Sequence, residues 1–308
     1  MKSALFSRPG AGGSFYSAAG ANMTTGDIWF VDSGSANASD AATHGSNPDT
    51  PFATVDYAIS ACTADKGDII YVMPGHAETG STLNQELFDI DVAAVSVIGL
   101  GDGDLRPTFT FTAVGATVVI GASGCRLSNC RFLSGVADAV ACLEIEAAGI
   151  GSEVDNNYFA SSVVGKEFLK TIAVTADADR LLIHDNTIIN LTGDEAIGGI
   201  FFAGGSDGTI IRDNIMQGDW KTNAALDCST AASANIVILD NQIVNIEENT
   251  GLCIKCHGSG TGIIAGNFVA GGKNNTHTIN TVTLMHCSQN FGNDAVNTYG
   301  ILTPVAGA

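Results

Sequence analysis

The chain has 308 residues, of which 45% are hydrophobic, and 13 Lys and Arg against 32 Asp and Glu give a net charge of −19 at pH 7. The apolar fraction is sufficient for a continuous core, while the charge repels phosphate backbones, so nucleic acid is excluded as a partner. No apolar run approaches the ~20 residues of a membrane span, so we expect no association with a membrane. The N-terminus lacks a secretory leader, so we expect the protein to be made in a cytoplasm, where its eight cysteines stay reduced.

The first 26 residues are rich in Gly, Ala and Ser and contain few apolar anchors. This composition predicts an extended N-terminal arm over residues 1–26 that becomes ordered on binding a partner. The side chains that we expect to make that contact are Phe6, Arg8, Phe15 and Tyr16.

Residues 27–66 predict a strand followed by a capping helix. The strand is Asp27–Val31, and the helix is Pro51–Cys62, with Thr50 as its N-cap and Pro51 in its first turn. One apolar face at 3–4 spacing is formed by Val55, Ala58, Ile59 and Cys62. We expect this helix to cover the open end of the domain that follows, which begins with the strand Ile69–Met73.

From residue 125 onward, an Asn followed by apolar residues recurs at steps of 27, 30, 28, 27 and 26. The six copies are Asn129, Asn156, Asn186, Asn214, Asn241 and Asn267. A period in the twenties, with short Val/Ile-rich runs broken by turn residues, is typical of a β-solenoid. Stacked turns would join these amides into a ladder along the axis. The alternative, ordinary Asx turns in an all-β sandwich, does not explain the even spacing.

We therefore predict an all-β right-handed parallel β-helix over residues 67–308, with an irregular C-terminal end. Three cysteines, Cys142, Cys228 and Cys253, follow their asparagines by 12 to 14 residues and are expected at equivalent inward positions.

A family resemblance agrees with this fold. The run from Thr50 to Glu78 combines a helix, Gly67-Asp68, a β-branched strand and Pro74-Gly75, and it resembles the start of pectate-lyase-like right-handed β-helix proteins. With the repeats, the resemblance spans residues 45–290. The arm, with its SRPG and GGSFY segments, and the cap are also similar to β-helix virion proteins of tailed bacteriophages. That second resemblance implies a virion structural component and nothing about catalysis.

Enzymes of the pectate-lyase-like group cleave acidic polysaccharides with clustered carboxylates. Stacked coils would place Glu195, Asp219 and Glu247 on one flank at ~5 or ~10 Å, which covers the separations of retaining and inverting acid pairs. Trp220 would then serve as a sugar platform. The alternative interpretation is a solvated acidic face. Cys256-His257-Gly258 is faintly similar to a hydrolase His motif, but no Arg-x-Lys follows it, which argues against hydrolase activity.

Two further patterns raise the question of a metal or haem. We expect the acids before the repeated asparagines to cap turns, with Ca²⁺ as the alternative; they are Asp155, Asp185, Asp213 and Asp240. Cys253, Cys256 and His257 match a haem-attachment sequence and could also bind Zn²⁺. Because residues three apart on a strand point to opposite faces, we predict no metal and no cofactor.

The sequence thus favours a non-enzymatic virion structural protein: a phage capsid decoration protein, homotrimeric, made in the host cytoplasm and located on the capsid exterior. The arm would bind the major capsid protein or another virion protein. The alternative is a tailspike-like protein that binds or depolymerises polysaccharide. A third possibility is a free cytoplasmic protein without an assembly role.

Overall fold

The structure is a computed structural model that describes residues 24–83, 85–190, 196–221, 223–247, 251–271, 278–280, 284–294 and 298–301. It is an all-β, right-handed parallel β-helix, so the predicted fold class is confirmed. Most of the predicted arm, including Phe6, Arg8, Phe15 and Tyr16, lies outside the described residues.

Three parallel sheets run along the molecule, and each coil contributes one strand to each sheet in turn. Sheet 1 contains β1 (Ile28–Val31), β2 (Ile69–Val72), β5 (Ser96–Gly99), β8 (Arg126–Ser128), β11 (Glu153–Asp155), β14 (Leu182–His184), β17 (Ile210–Arg212), β20 (Ile236–Leu239), β23 (Gly262–Ala265) and β26 (Met285–Ser288). Sheet 2 contains β3 (Ala77–Gly80), β6 (Thr108–Phe111), β9 (Arg131–Ser134), β12 (Tyr158–Ser161), β15 (Thr187–Ile189), β18 (Ile215–Gly218), β21 (Gln242–Asn245), β24 (Phe268–Gly271), β27 (Phe291–Asp294) and the antiparallel β28 (Thr298–Ile301). Sheet 3 contains β4 (Glu86–Asp89), β7 (Thr117–Ile120), β10 (Leu143–Ile145), β13 (Lys170–Val174), β16 (Gly198–Phe202), β19 (Ala224–Cys228), β22 (Leu252–Cys256) and β25 (Ile279–Asn280).

The core fills the space between the three sheets. Because side chains alternate along a strand, every second residue points inward and meets its counterpart in the next coil. On sheet 2, Phe109, Phe132 and Phe159 are fully buried and stack in register, with ring centroids 5.3 and 5.0 Å apart. Such columns bury similar apolar side chains of successive coils against one another, which removes the apolar surface of the short Val/Ile/Phe-rich strands from water.

A column of buried amides lies at the corner between sheets 1 and 2. It consists of Asn157, Asn186, Asn214, Asn241, Asn267 and Asn290. In each step the backbone N–H and the side-chain Nδ2 of one Asn both donate to the Oδ1 of the next, as from Asn186 to Asn214 at 3.1 and 3.0 Å. Each Nδ2 also donates to a sheet 1 carbonyl one coil back, for example from Asn214 to Ile183 O at 3.0 Å.

Four of the six predicted asparagines lie in this column, whereas Asn129 and Asn156 lie one residue before it and bond to each other, with Asn156 Nδ2 donating to Asn129 Oδ1 at 3.1 Å. Asn156 is exposed at φ 55°, while the next residue, Asn157, is 1% exposed and occupies the column. Asn129 likewise lies one residue before the column. In its coil the column position is held by Cys130, which donates its backbone N–H to Asn157 Oδ1 at 2.9 Å. Both asparagines adopt the left-handed backbone that the corner requires, a position held in the following coils by Asp185, Asp213, Asp240, Gly266 and Gln289.

The capping helix is shorter than predicted. It is α1 (Val55–Ser60), and its N-cap is Thr54, whose Oγ1 accepts from Tyr57 N at 3.3 Å, so the prediction of Thr50 was wrong. The reason is Phe52, which exchanges backbone hydrogen bonds with the first strand and is 1% exposed, so the chain stays extended until Thr54. The helix buries Val55, Ala58 and Ile59 over the open end of the core, as expected.

The residues that carry the family resemblance hold this cap in place. Asp68 is fully buried and accepts from the backbone N–H groups of residues 27 and 63, both at 2.7 Å. His76, also buried, accepts from Ser33 N at Nδ1, which leaves Nε2 to donate to Glu78 at 2.8 Å. The same Glu78 oxygen accepts from Val55 N, at the start of the helix. The residues of this motif therefore serve to stabilise the N-terminal cap.

The neighbouring residues Asn156 and Asn157 provide a matched test of the amide column. Replacing Asn157 with Ala leaves the buried Cys130 N–H without an acceptor, so we expect the free energy of unfolding to fall by about 3 kcal/mol. Replacing Asn156 with Gly, which tolerates the positive φ, should cost less than about 1 kcal/mol. Urea unfolding followed by circular dichroism measures both, and equal losses would show that the column does not stabilise the fold.

Candidate functional site

Two of the three predicted acids are described by the structure, and they lie at the corner between sheets 2 and 3. Asp219 is half-buried and Glu247 is 7% exposed, in successive coils, whereas Glu195 lies outside the described residues. Asn245 Oδ1 accepts from the backbone N–H groups of Trp220 and Glu247, at 3.1 and 3.2 Å. The segment is thus fixed by a second buried amide.

Trp220 is not a sugar platform. Its side chain is fully buried in the core, where two glycines of adjoining strands, Gly199 and Gly218, leave room for the indole. A Cβ at either glycine would lie 3.2 or 3.0 Å from Trp220 Cζ2. The interpretation as a sugar platform is wrong because the side chain of Trp220 points into the core.

A charged cluster lies on the outer face of sheet 1. Arg126 binds Asp155 through two hydrogen bonds of 2.7 and 2.8 Å, and Ser128 donates to the same carboxylate at 2.9 Å. In the next coil, His184 lies between Glu153 at Nε2, 2.9 Å, and Asp185 at Nδ1, 2.6 Å. Asp155 therefore pairs with an arginine instead of capping a turn.

This cluster also brings together three groups that bind metals. Atoms of Glu153, Asp155 and His184 lie within 4.8 Å of one another. However, Arg126 and Ser128 already engage both oxygens of Asp155, so a cation would have to displace a bidentate ion pair. The chemistry of the donor set therefore fits a network of ion pairs and hydrogen bonds.

Cys253, Cys256 and His257 do not converge on a common point, since within the described residues only the cluster on sheet 1 gathers three metal-binding groups. Cys253 and Cys256 are both buried, contrary to the expectation that one would face outward. Cys142 and Cys253 do hold equivalent positions, each just before the inward-facing Leu143 or Ile254, whereas Cys228 pairs in register with Cys256.

Carboxylates line the N-terminal half of the outer face of sheet 3. Asp89 and Glu144 stand in one outward column, with Val119 between them. Burial, together with the nearby charges of Glu86, Asp91 and Glu146, raises the pKa of Asp89 to about 6. Burial and the adjacent acids Glu146 and Glu86 raise the pKa of Glu144, although Lys170 opposes the shift. No sequence repeat marked these two residues.

The outer face of sheet 2 has the opposite character, and we call it the neutral face. Its outward positions are Thr108, Thr110, Arg131, Leu133, Tyr158, Ala160, Thr187, Ile189, Ile215, Gln217, Gln242, Val244, Phe268, Ala270 and Phe291. Among these described positions Arg131 is the sole charged residue, and it pairs with Asp104 at 2.9 Å. Exposed apolar side chains collect toward the C-terminal end, where Phe268 is 58% exposed and stacks on Phe291 at 5.5 Å.

Comparison with protein-family models, curated proteins and solved structures finds no match. The coil geometry itself is consistent with a pectate-lyase-like β-helix of about eight turns. Within the described residues, no helix has the length and apolar character that spanning a bilayer requires.

The raised pKa of Asp89 predicts a pH dependence of stability. The folded protein binds the proton of the Asp89 carboxyl more tightly than the unfolded chain does. The resulting contribution to the free energy of unfolding is therefore fully present below pH 4 and is lost as the pH rises through about 6. Replacing Asp89 with Asn should therefore raise the free energy of unfolding at pH 7 by about 1 kcal/mol, after discounting for solvent screening, and leave it nearly unchanged at pH 4.

Urea unfolding at pH 4, 5, 6 and 7 measures this difference. The exposed Asp102, replaced by Asn, is the control and should follow the wild-type profile. A constant offset between Asp89→Asn and the wild type over this range would contradict the assignment.

Proposed function

We propose that the chain is a virion structural protein: a capsid decoration protein that forms a homotrimer and attaches to the shell through its N-terminal arm. The observation that carries the proposal is the neutral face. In a chain of net charge −19, a sheet surface of fifteen outward positions with one charged residue is an exception. Exposed apolar surface of this kind marks association with other chains.

The geometry of the neutral face suits a second copy of the same chain. The strands of sheet 2 are parallel and in register, so the outward side chains form straight columns along the rod. Copies packed through these columns would keep their acidic surfaces, such as the carboxylates of sheet 3, apart and in water. Three rods around one axis would cover the apolar end at Phe268 and Phe291.

The interior supports a structural role as well. The continuous amide column, the stacked phenylalanines and the hydrogen-bonded cap resist local opening along the rod. The resemblance of the opening segments to β-helix virion proteins of tailed bacteriophages suggests the assembly. On this proposal the protein is made in the host cytoplasm, and its arm binds the major capsid protein or another virion protein.

One sedimentation experiment tests both parts of the proposal. Replacing Phe268 with Glu puts a like charge on the neutral face of every copy, so we expect a trimeric wild type to become monomeric while its circular dichroism is unchanged. Deleting residues 1–20 should abolish co-sedimentation with phage heads and leave the trimer intact.

Leu105 provides the matched control, since it is 61% exposed and lies outside sheet 2, in the short 3-10 helix at residues 103–105. Replacing Leu105 with Glu adds the same charge and should not change the oligomeric state. A monomeric wild type, or a truncated protein that still binds heads, would refute the corresponding part of the proposal.

A second candidate function is polysaccharide depolymerisation, favoured by the column that contains Asp89 and Glu144. Two strand steps separate their backbones by ~9.6 Å, close to the spacing of inverting acid pairs, and a pKa of about 6 suits a general acid. This candidate predicts reducing ends released from an acidic host polysaccharide, and at least a ~100-fold loss in Glu144→Gln. If the wild type releases none, the candidate is wrong.

A further inference from the structure

Two buried cysteines face each other across adjacent coils. Cys228 ends β19 and Cys256 ends β22, and the two residues are direct register partners in sheet 3. Their Sγ atoms are 3.2 Å apart, and the side chains are 1% and 6% exposed.

The backbone around this pair satisfies the requirements of a disulfide. Register partners on parallel strands have Cα atoms ~4.8 Å apart, inside the range of ~4.4–6.8 Å that disulfides span. The two sulfurs already point toward each other, and bonding requires them to approach by only ~1.2 Å. No change of strand register is needed.

We infer that Cys228 and Cys256 form a coil-to-coil disulfide once the protein leaves a reducing compartment. With a small-molecule disulfide such as oxidised glutathione as oxidant, the Cys256 thiolate attacks one of its sulfurs and releases a glutathione thiolate. The Cys228 thiolate then attacks the Cys256 sulfur of the mixed disulfide and releases the second. The two cysteines lose two protons and two electrons, and the oxidant becomes two thiols.

The surroundings of the pair explain why it stays reduced at first. Hydrogen bonding to Cys228 and burial raise the pKa of Cys256 well above that of a free thiol, so little thiolate is present in the closed rod. The pair lies near the C-terminal end of sheet 3, where β25 is the one described strand beyond β22. Opening of that last coil gives the oxidant access, and closure then brings the sulfurs together.

The bond would close a loop of 28 residues and join the seventh strand of sheet 3 to the sixth. A crosslink of this kind restricts the unfolded chain and opposes fraying of the terminal coils. The disulfide would stabilise the β-helix after folding, as expected for a protein that is made in a cytoplasm and acts outside it.

The test is oxidation of the purified full-length protein with oxidised glutathione at a temperature just below its melting midpoint. We expect free thiols to fall from eight to six, and non-reducing peptide mapping to show a Cys228–Cys256 linkage. The melting midpoint should rise by about 5–10 °C and return on reduction with dithiothreitol.

Three variants sharpen the result. Cys228→Ala and Cys256→Ala should each retain all seven remaining thiols and show no oxidation-dependent shift. Cys142 is a buried cysteine directly before β10, and the Cys142→Ala variant should still lose two thiols. Eight free thiols after oxidation of the wild type, or a linkage of Cys256 to Cys287, would overturn the inference. Because the peptide mapping is done on the wild-type protein, it tests the Cys228–Cys256 disulfide even if a variant is unstable.

Discussion

The column of side-chain amides between sheets 1 and 2 is the constraint on which the rest of the structure depends. From Asn186 onward, each Asn Oδ1 accepts two N–H donors from the preceding coil, and each Nδ2 donates to a carbonyl of sheet 1. This double connection fixes the register of successive coils, because a one-residue slip would leave buried amide groups unpaired. With the corner fixed, inward and outward positions follow by alternation along every strand.

Fixed register explains how one short chain presents three different surfaces. Sheet 1 carries the ion pairs around Arg126 and His184, sheet 3 carries the acids around Asp89, and sheet 2 carries the neutral face. On each sheet, the outward side chains at equivalent positions of successive coils form columns. A charge or an apolar character that these side chains share is therefore repeated along the axis of the β-helix. The ion-paired, acidic and neutral surfaces are therefore separated by direction around the axis.

The sequence predicted the architecture well, because a repeated Asn with apolar neighbours reports the corner directly. It misplaced the column at Asn156 since two asparagines occur together, and only packing distinguishes Asn157, which is buried, from its exposed neighbour. The earlier coil has Cys130 in the column, which no Asn pattern could reveal. The start of α1 was missed because Phe52 is held by tertiary contacts that outweigh the local signals at Thr50 and Pro51.

The candidate sites were harder to predict because they depend on neighbours one coil away. Asp89 and Glu144 are 55 positions apart in the chain, yet they stand two strands apart in one column. Trp220 and Asp219 are adjacent in sequence, but the tryptophan faces the core. Once the register is known, however, the lack of charge on sheet 2 can be read from the sequence itself.

The last described strand, β28, runs antiparallel to β27 and pairs with it from Phe291 to Asp294. A parallel solenoid that ended on a bare strand would offer its backbone groups as a template for the first coil of another molecule, and fibres would grow end to end. On sheet 2, β28 occupies the edge of β27 that a further parallel strand would use, while α1 covers the opposite mouth of the core. Parallel stacking of another chain directly onto β27 is thereby blocked.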